Sequence, residues 1–205
     1  AYKLKANSTF RNEFIQRMAS HLNTTFKTER VLHILDSVKG NIATEMVHHI
    51  ERWDAPSSMA KWEKNLQVMV DFARERVDSV KEDMMSEFDL TGTFDLTLEN
   101  ADPACGGIEI AGVDVPAVFT GFYFDDVPLR MKARPGPGYR FSHWSGAYSG
   151  TGDEIFLTSD KNISVSAHFS PAAQIRNLFI NEVLSENRGG IKDESGEYED
   201  WIEIY

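Results

Sequence analysis

Apolar residues return every three or four positions over residues 1–88, and then switch to every second position. The first rhythm predicts helices and the second predicts half-buried strands. Asn7 and Ser8 are good helix caps, and Phe10, Phe14, Met18 and Leu22, broadened by Ile15, form a stripe that runs to about Phe26. Thr28 is placed to cap a second helix carrying Val31, Leu32, Leu35 and Val38, which Gly40-Asn41 is expected to break or bend. A third segment resumes with Ile42, Met46, Val47, Ile50 and Trp53. Pro56-Ser57-Ser58 separates it from a long helix bearing Met59, Trp62, Leu66, Met69, Ala73, Val77 and Val80. These stripes predict a helical bundle segment.

The period changes at about Phe88. Thr91 to Leu98 alternates strictly, and short strand-like runs follow at 108–110, 118–124, 129–133, 139–144, 154–157 and 163–169, punctuated by Gly, Pro, Asn and Asp. They predict a small antiparallel β module. After Pro171 to Gln174, a linker, the pattern gives one more strand (175–183), a polar glycine-containing loop (185–200) and a terminal strand-like run, Trp201 to Tyr205. Thirty-five residues bury too little to fold alone. The expected fold class is α+β, with helices over 1–88, the β module over 89–170 and a truncated β stub over 171–205. The chain opens on Ala1-Tyr2-Lys3-Leu4 and stops inside a strand pattern, which reads as a window from a longer protein.

Charge sharpens this division. Residues 1–88 carry 13 basic and 13 acidic side chains, 89–170 carry 5 and 11, and 171–205 carry 3 and 8, so the net −11 lies in the second half. An acidic surface repels phosphate backbones, and nucleic acid is therefore not an expected partner of that half. No apolar run approaches the ~20 residues of a membrane span. The lone Cys105 excludes an internal disulfide framework without locating the protein.

Candidate chemistry is sparse, and no catalytic, cofactor or metal residue is assigned from the pattern. Glu45-x-x-His48 with His49 has the spacing of a carboxylate-bridged metal site, but no second Glu-x-x-His supplies matching ligands. Asp125-Asp126 and the acidic loop of Asp193, Glu194, Glu197, Glu199 and Asp200 offer oxygen ligands without a calcium-loop register. Gly136-x-Gly138 and Gly189-Gly190 lack the following Lys-Ser/Thr of a phosphate cradle. Ser142-His143 has no nucleophile-elbow context, and Cys105 beside Gly106-Gly107 shows no activating neighbour. Aromatic residues of the β module remain open to two readings. Tyr123, Tyr139, Trp144 and Tyr148, with Phe124, serve either as core or as a partner-binding face for glycan or peptide.

Three stretches resemble known families. FRNEFIQRMASHLNTTF (Phe10 to Phe26), HIERWDAP (His49 to Pro56), MAKWEKNL (Met59 to Leu66) and FARERVDSV (Phe72 to Val80) together resemble the C-terminal helical end of the spore-coat CotH family, whose members are similar to atypical protein kinases. AVFTGFYFDDVPLRMKARPGPGYRFSHWSG (Ala117 to Gly146), closed by DKNISVSAHFS (Asp160 to Ser170), resembles the divergent internalin-type B-repeat of bacterial surface proteins. FINEVLSEN (Phe179 to Asn187) and DESGEYEDWIEIY (Asp193 to Tyr205) resemble the opening strands of a lamin-tail domain, an immunoglobulin-like fold. The resemblance implies a non-catalytic C-terminal portion of an exported, cell-surface CotH-like protein. ATP, magnesium or manganese and the phosphoryl-transfer residues would then belong to an upstream kinase-like domain, itself the expected partner. The alternative is a surface adhesion or scaffold module whose β part binds glycan, peptide or cell wall. Helices that pack on an upstream domain should leave an apolar patch uncovered.

Overall fold

The computed structural model describes residues 2–172 and 180–204. Four helices come first: α1 (Tyr2–Lys5), α2 (Ser8–Asn23), α3 (Thr28–Trp53) and α4 (Met59–Phe88). Asn7 caps α2 by accepting from the Phe10 N–H at 3.0 Å, and Ser58 caps α4 by accepting from the Lys61 N–H at 3.1 Å. Thr28 does not cap α3. Its hydroxyl donates across to the Ala73 carbonyl at 3.2 Å and ties the start of α3 to the middle of α4.

Gly40 does not interrupt α3, contrary to the expected break. A glycine inside a helix costs about 1 kcal/mol, and the seam on either side of it continues in phase. Leu32, Leu35, Ala43, Met46 and Ile50 are all partly buried, and they share one stripe of a continuous helix.

Among the described residues ten strands follow, the first eight of them with the helices. They are β1 (Thr93–Asn100), β2 (Gly106–Ile110), β3 (Val113–Val115), β4 (Val118–Phe124), β5 (Leu129–Pro135), β6 (Tyr139–Gly146), β7 (Glu154–Leu157) and β8 (Ile163–Pro171). They form two four-stranded sheets, in the orders β4-β1-β8-β6 and β3-β2-β5-β7. The α+β class is as expected. Within it, β1 runs antiparallel to β4 but parallel to β8, from Leu96 opposite Ile163 to Asn100 opposite Ala167. A parallel pair needs a long crossover, and here the other strands of the module supply it.

β1 shows the alternation in its burial: Phe94, Leu96, Leu98 and Asn100 point inward while Asp95, Thr97 and Glu99 face out. The core adds Tyr123, Phe124, Leu129, Met131, Trp144 and Val165. It also takes Ile15 and Ala19 from α2 and Met84 from α4. Helices and sheets up to Ser170 therefore make one compact unit.

Pro171–Tyr205 is a second unit. In it β9 (Ile180–Leu184) pairs antiparallel with β10 (Trp201–Ile204), from Trp201 opposite Leu184, with a register irregularity between Glu203 and Ile204. The expected strand over 175–183 begins outside the described residues.

Candidate functional site

Helix α2 fixes the helical part to the sheets, and it does so with polar side chains. β4 is an edge strand, and an edge presents a row of unpaired N–H and C=O groups. The Asn23 side-chain amide donates to the Phe122 carbonyl at 2.7 Å and accepts from the Phe122 N–H at 3.2 Å. The Gln16 amide repeats this one pleat further on: it donates to the Phe124 carbonyl at 3.0 Å and accepts from the Phe124 N–H at 3.2 Å. It also donates to the Val127 carbonyl at 2.7 Å. Two amides thus occupy the place of a neighbouring strand. Between them the Ser20 hydroxyl meets the Ile110 carbonyl at 3.0 Å and the Tyr123 hydroxyl at 3.2 Å, and Arg17 Nε donates to the Ala111 carbonyl at 3.0 Å.

This latch turns α2 part-way from the stripe expected of it, keeping Ile15 and Leu22 buried. The buried face is Ile15, Gln16, Ala19, Ser20 and Leu22. Phe10 and Phe14 stay on the surface, stacked at 6.2 Å, with Phe14 against Phe88 at 5.9 Å.

α3 and α4 form an antiparallel hairpin. Thr28 meets Ala73, and Lys39 meets Glu63 at 2.8 Å with its ammonium 5.9 Å from the Trp62 ring. Along their seam α4 buries Trp62 and Ala73, while Met84, past the start of α3, joins the core of the β module; none of the described residues of α3 is buried. A second apolar row lies outside the seam. At about 100° per residue, Ile34, Val38 and Ile42 stand roughly a quarter-turn from the seam of α3. Met69 and Phe72 stand a similar turn, in the same sense, from the seam of α4. In antiparallel helices equal rotations of the same sense bring both rows to one side. With Val68 at its margin, that side carries six large apolar side chains that are 43–65% exposed. A monomer does not ordinarily leave so many clustered on one face. Val38, Ile42 and Met69, expected on the packed stripes, lie instead on this exposed side, where the recurrence at 34, 38 and 42 sets Ile34 with them.

The four aromatics proposed as a binding face are not brought together. Tyr123 and Trp144 are fully buried, a correction with a plain physical cause: each has its polar atom satisfied inside the module. Tyr123 shares its hydroxyl with Ser20, and burial pushes its phenol well above the ordinary range. Trp144 Nε1 donates to the Gly152 carbonyl at 2.8 Å, while its ring lies 5.0 Å from that of Phe141. Tyr139 keeps 37% of its surface exposed, and a hydrogen bond with the Cys105 thiol, followed by the charge of that group and burial, raises its phenol. Tyr148 is half-buried, its ring against Gly150.

The remaining candidates resolve into local roles. His48 Nδ1 lies 3.8 Å from Glu51, and His49 Nε2 lies 2.9 Å from the Ala55 carbonyl. These two rings therefore serve different neighbours. Asp126 accepts from the Thr91 hydroxyl at 3.0 Å in a left-handed turn position. Asp193 accepts from the Ser195 and Glu197 N–H groups, and Asp200 from those of Glu186 and Asn187. Ser142 bonds His143 at 3.0 Å, and that ring stacks on His168 at 4.4 Å, itself bonded to Ser145. Gly138, at φ +79°, closes the turn that brings the Tyr139 N–H to the Gly136 carbonyl.

Among the described residues no three His, Cys, Asp or Glu side chains gather as metal ligands.

The CotH kinase protein family matches residues 1–80, and the divergent InlB B-repeat domain matches residues 123–173. The first match covers α1 to α3 and most of α4. The second begins in β4 and takes in β5 to β8, leaving β1 to β3 outside it. No curated protein and no solved structure matches the chain. No helix among the described residues is long and apolar enough to cross a membrane.

Proposed function

We propose that residues 1–88 are the non-catalytic, distal helical part of a CotH-like kinase fold, and that the uncovered face of the α3–α4 hairpin docks the rest of that fold. The exposed row of Ile34, Val38 and Ile42 beside Met69 and Phe72 carries this reading. The match of residues 1–80 to the CotH kinase family supports the choice of occupant. On this reading ATP and magnesium or manganese are bound by the upstream part of the parent protein. The β module is joined through the α2 latch rather than by a loose tether, which fixes the kinase-like helices to the two sheets. Residues 171–205 are the start of a lamin-tail domain, and the protein works outside the cell or on its surface.

Phosphate transfer from labelled ATP, with magnesium or manganese, tests the assignment. It is measured for this chain, for a chain extended several hundred residues upstream, and for the extended chain carrying Val38→Glu and Phe72→Glu. Activity confined to the extended chain and lost in the double variant is the expected result. Activity in this chain alone, or an extended chain indifferent to the two glutamates, overturns it. Silence in every form would move the adhesion and scaffold reading ahead.

A further inference from the structure

The uncovered face of the α3–α4 hairpin has a border of one sign. Arg30 lies one turn before Ile34 on its row, and Lys61 and Arg76 continue the row of Val68 and Phe72 in either direction. All three are exposed. Thr28 lies level with Ala73 and Lys39 with Glu63, which sets Arg30 level with Phe72 and Lys61 level with Ile42. The three cations thus stand around the apolar stretch. The acids on the same rows, Glu45 and Asp83, lie beyond its two ends. At about 100° per residue, Asp36, Asp71 and Asp78 are turned to the opposite side of the hairpin.

These cations have no carboxylate of their own. Among the described residues the ion pairs of the two helices are Lys27–Glu29, Lys39–Glu63, His48–Glu51 and Arg74–Asp71, so Arg30, Lys61 and Arg76 take part in none. Arg76 instead sets its guanidinium over the Phe72 ring, 5.6 Å from its centre. Whatever covers Phe72 therefore covers Arg76 as well. Taking a guanidinium out of water with no carboxylate opposite is costly, so a purely apolar occupant loses at Arg76 what it gains at Phe72.

A second copy of the chain would bring the same cations against its own across a two-fold axis. Residues 1–88 carry 13 basic and 13 acidic side chains, so no excess of charge draws the helices to an anionic membrane. The row from Ile34 to Ile42 is about 12 Å of helix, and two antiparallel helices side by side leave a groove that a third helix fills.

We propose that this face takes an amphipathic helix whose apolar row is flanked by glutamates or aspartates, their carboxylates set on Arg76, Arg30 and Lys61. The proposal rests on the reading of the face as a docking surface and adds the chemistry of its occupant.

The test is fluorescence anisotropy on the full chain with two labelled peptides designed as helices with the same leucine row. One carries Glu on both flanks and the other carries Lys. The Glu peptide should bind about tenfold or more tightly than the Lys peptide, with the preference fading as salt rises. Phe72→Ala should weaken both. Arg30→Glu, Lys61→Glu and Arg76→Glu combined should reverse the preference, and tight binding of the Lys peptide then shows that the variant keeps its fold. Equal binding of the two peptides, lost together in Phe72→Ala, overturns the acidic assignment while leaving the docking surface intact. Binding of neither peptide, or a preference untouched by the three reversals, also overturns it. So does sedimentation of the chain with itself, or with vesicles of phosphatidylcholine and phosphatidylglycerol, in place of peptide binding. Failure of the docking reading itself is read separately, from the extended chain.

Discussion

Replacing Gln16 by methionine tests whether α2 is held by hydrogen bonds or merely by shape. The two side chains are close in volume, so the cavity term is small. What the variant loses is three hydrogen bonds of 2.7, 3.0 and 3.2 Å, made by a side chain only 1% exposed. At about 1 kcal/mol net for each, the loss is about 3 kcal/mol. It grows to the extent that the Phe124 N–H and the Phe124 and Val127 carbonyls find no water. For a unit of this size that corresponds to a fall in melting temperature of about 6–12 °C. Urea unfolding of the full chain, followed by tryptophan fluorescence, reads it out, since Trp144 is fully buried in the module. A loss below about 0.5 kcal/mol, the scale of an ordinary surface change, would refute the edge-capping account and leave Gln16 as filler.

Gly40→Ala should raise stability by about 0.5–1 kcal/mol in the same assay, because a Cβ at Gly40 meets nothing within 4 Å and the helix is continuous there. A loss of stability would show that the glycine serves a bend the chain adopts elsewhere. Burial and the charges of Asp126 and Asp160 raise the Asp125 carboxyl, and its Oδ1 is buried without a partner. Ionising a group whose folded value is raised lowers stability as pH climbs through that value. Asp125→Asn should therefore stabilise the chain at neutral pH, with the gain disappearing in acid; a gain that persists in acid would contradict this. Glu154 has the opposite sign. The hydrogen bond from Arg130 holds its carboxyl below the ordinary value, so its contribution is present above pH 4.5 and fades as pH falls through the folded value. Glu154→Gln should flatten that acid limb of the stability curve, and an unchanged limb would contradict the pairing.

Those features of the fold that are local were legible in the sequence. Asn7 caps α2, the period changes where α4 ends at Phe88, and the Phe94-Leu96-Leu98 alternation became the inward face of β1. Features that depend on distant partners were not legible. A hydrophobic stripe counts only apolar positions, so Phe10 and Phe14 outweighed Gln16, Ser20 and Asn23, although the polar residues are the ones that meet the backbone of β4. Nothing near Leu96 announces its parallel partner Ile163, 67 residues away. Gly40 is a local breaker overruled by a seam that only α4 can provide. Among the aromatics, period-two spacing could not separate Tyr123 and Trp144, whose polar atoms find partners inside, from the exposed Tyr139. An uncovered apolar face was expected of the helices, but not which residues form it.

That face is the centre of the account, and its accessibility can be measured directly. Single cysteines at Val38→Cys and Phe72→Cys, in a Cys105→Ser background, are labelled with a thiol reagent in this chain and in the chain extended upstream. The account predicts rapid labelling here and a slowing of about tenfold or more in the extended chain, as closed interfaces protect buried groups. Equal rates in the two chains would contradict it. So would slow labelling of this chain alone as a self-associated species, since the face would then belong to a second copy.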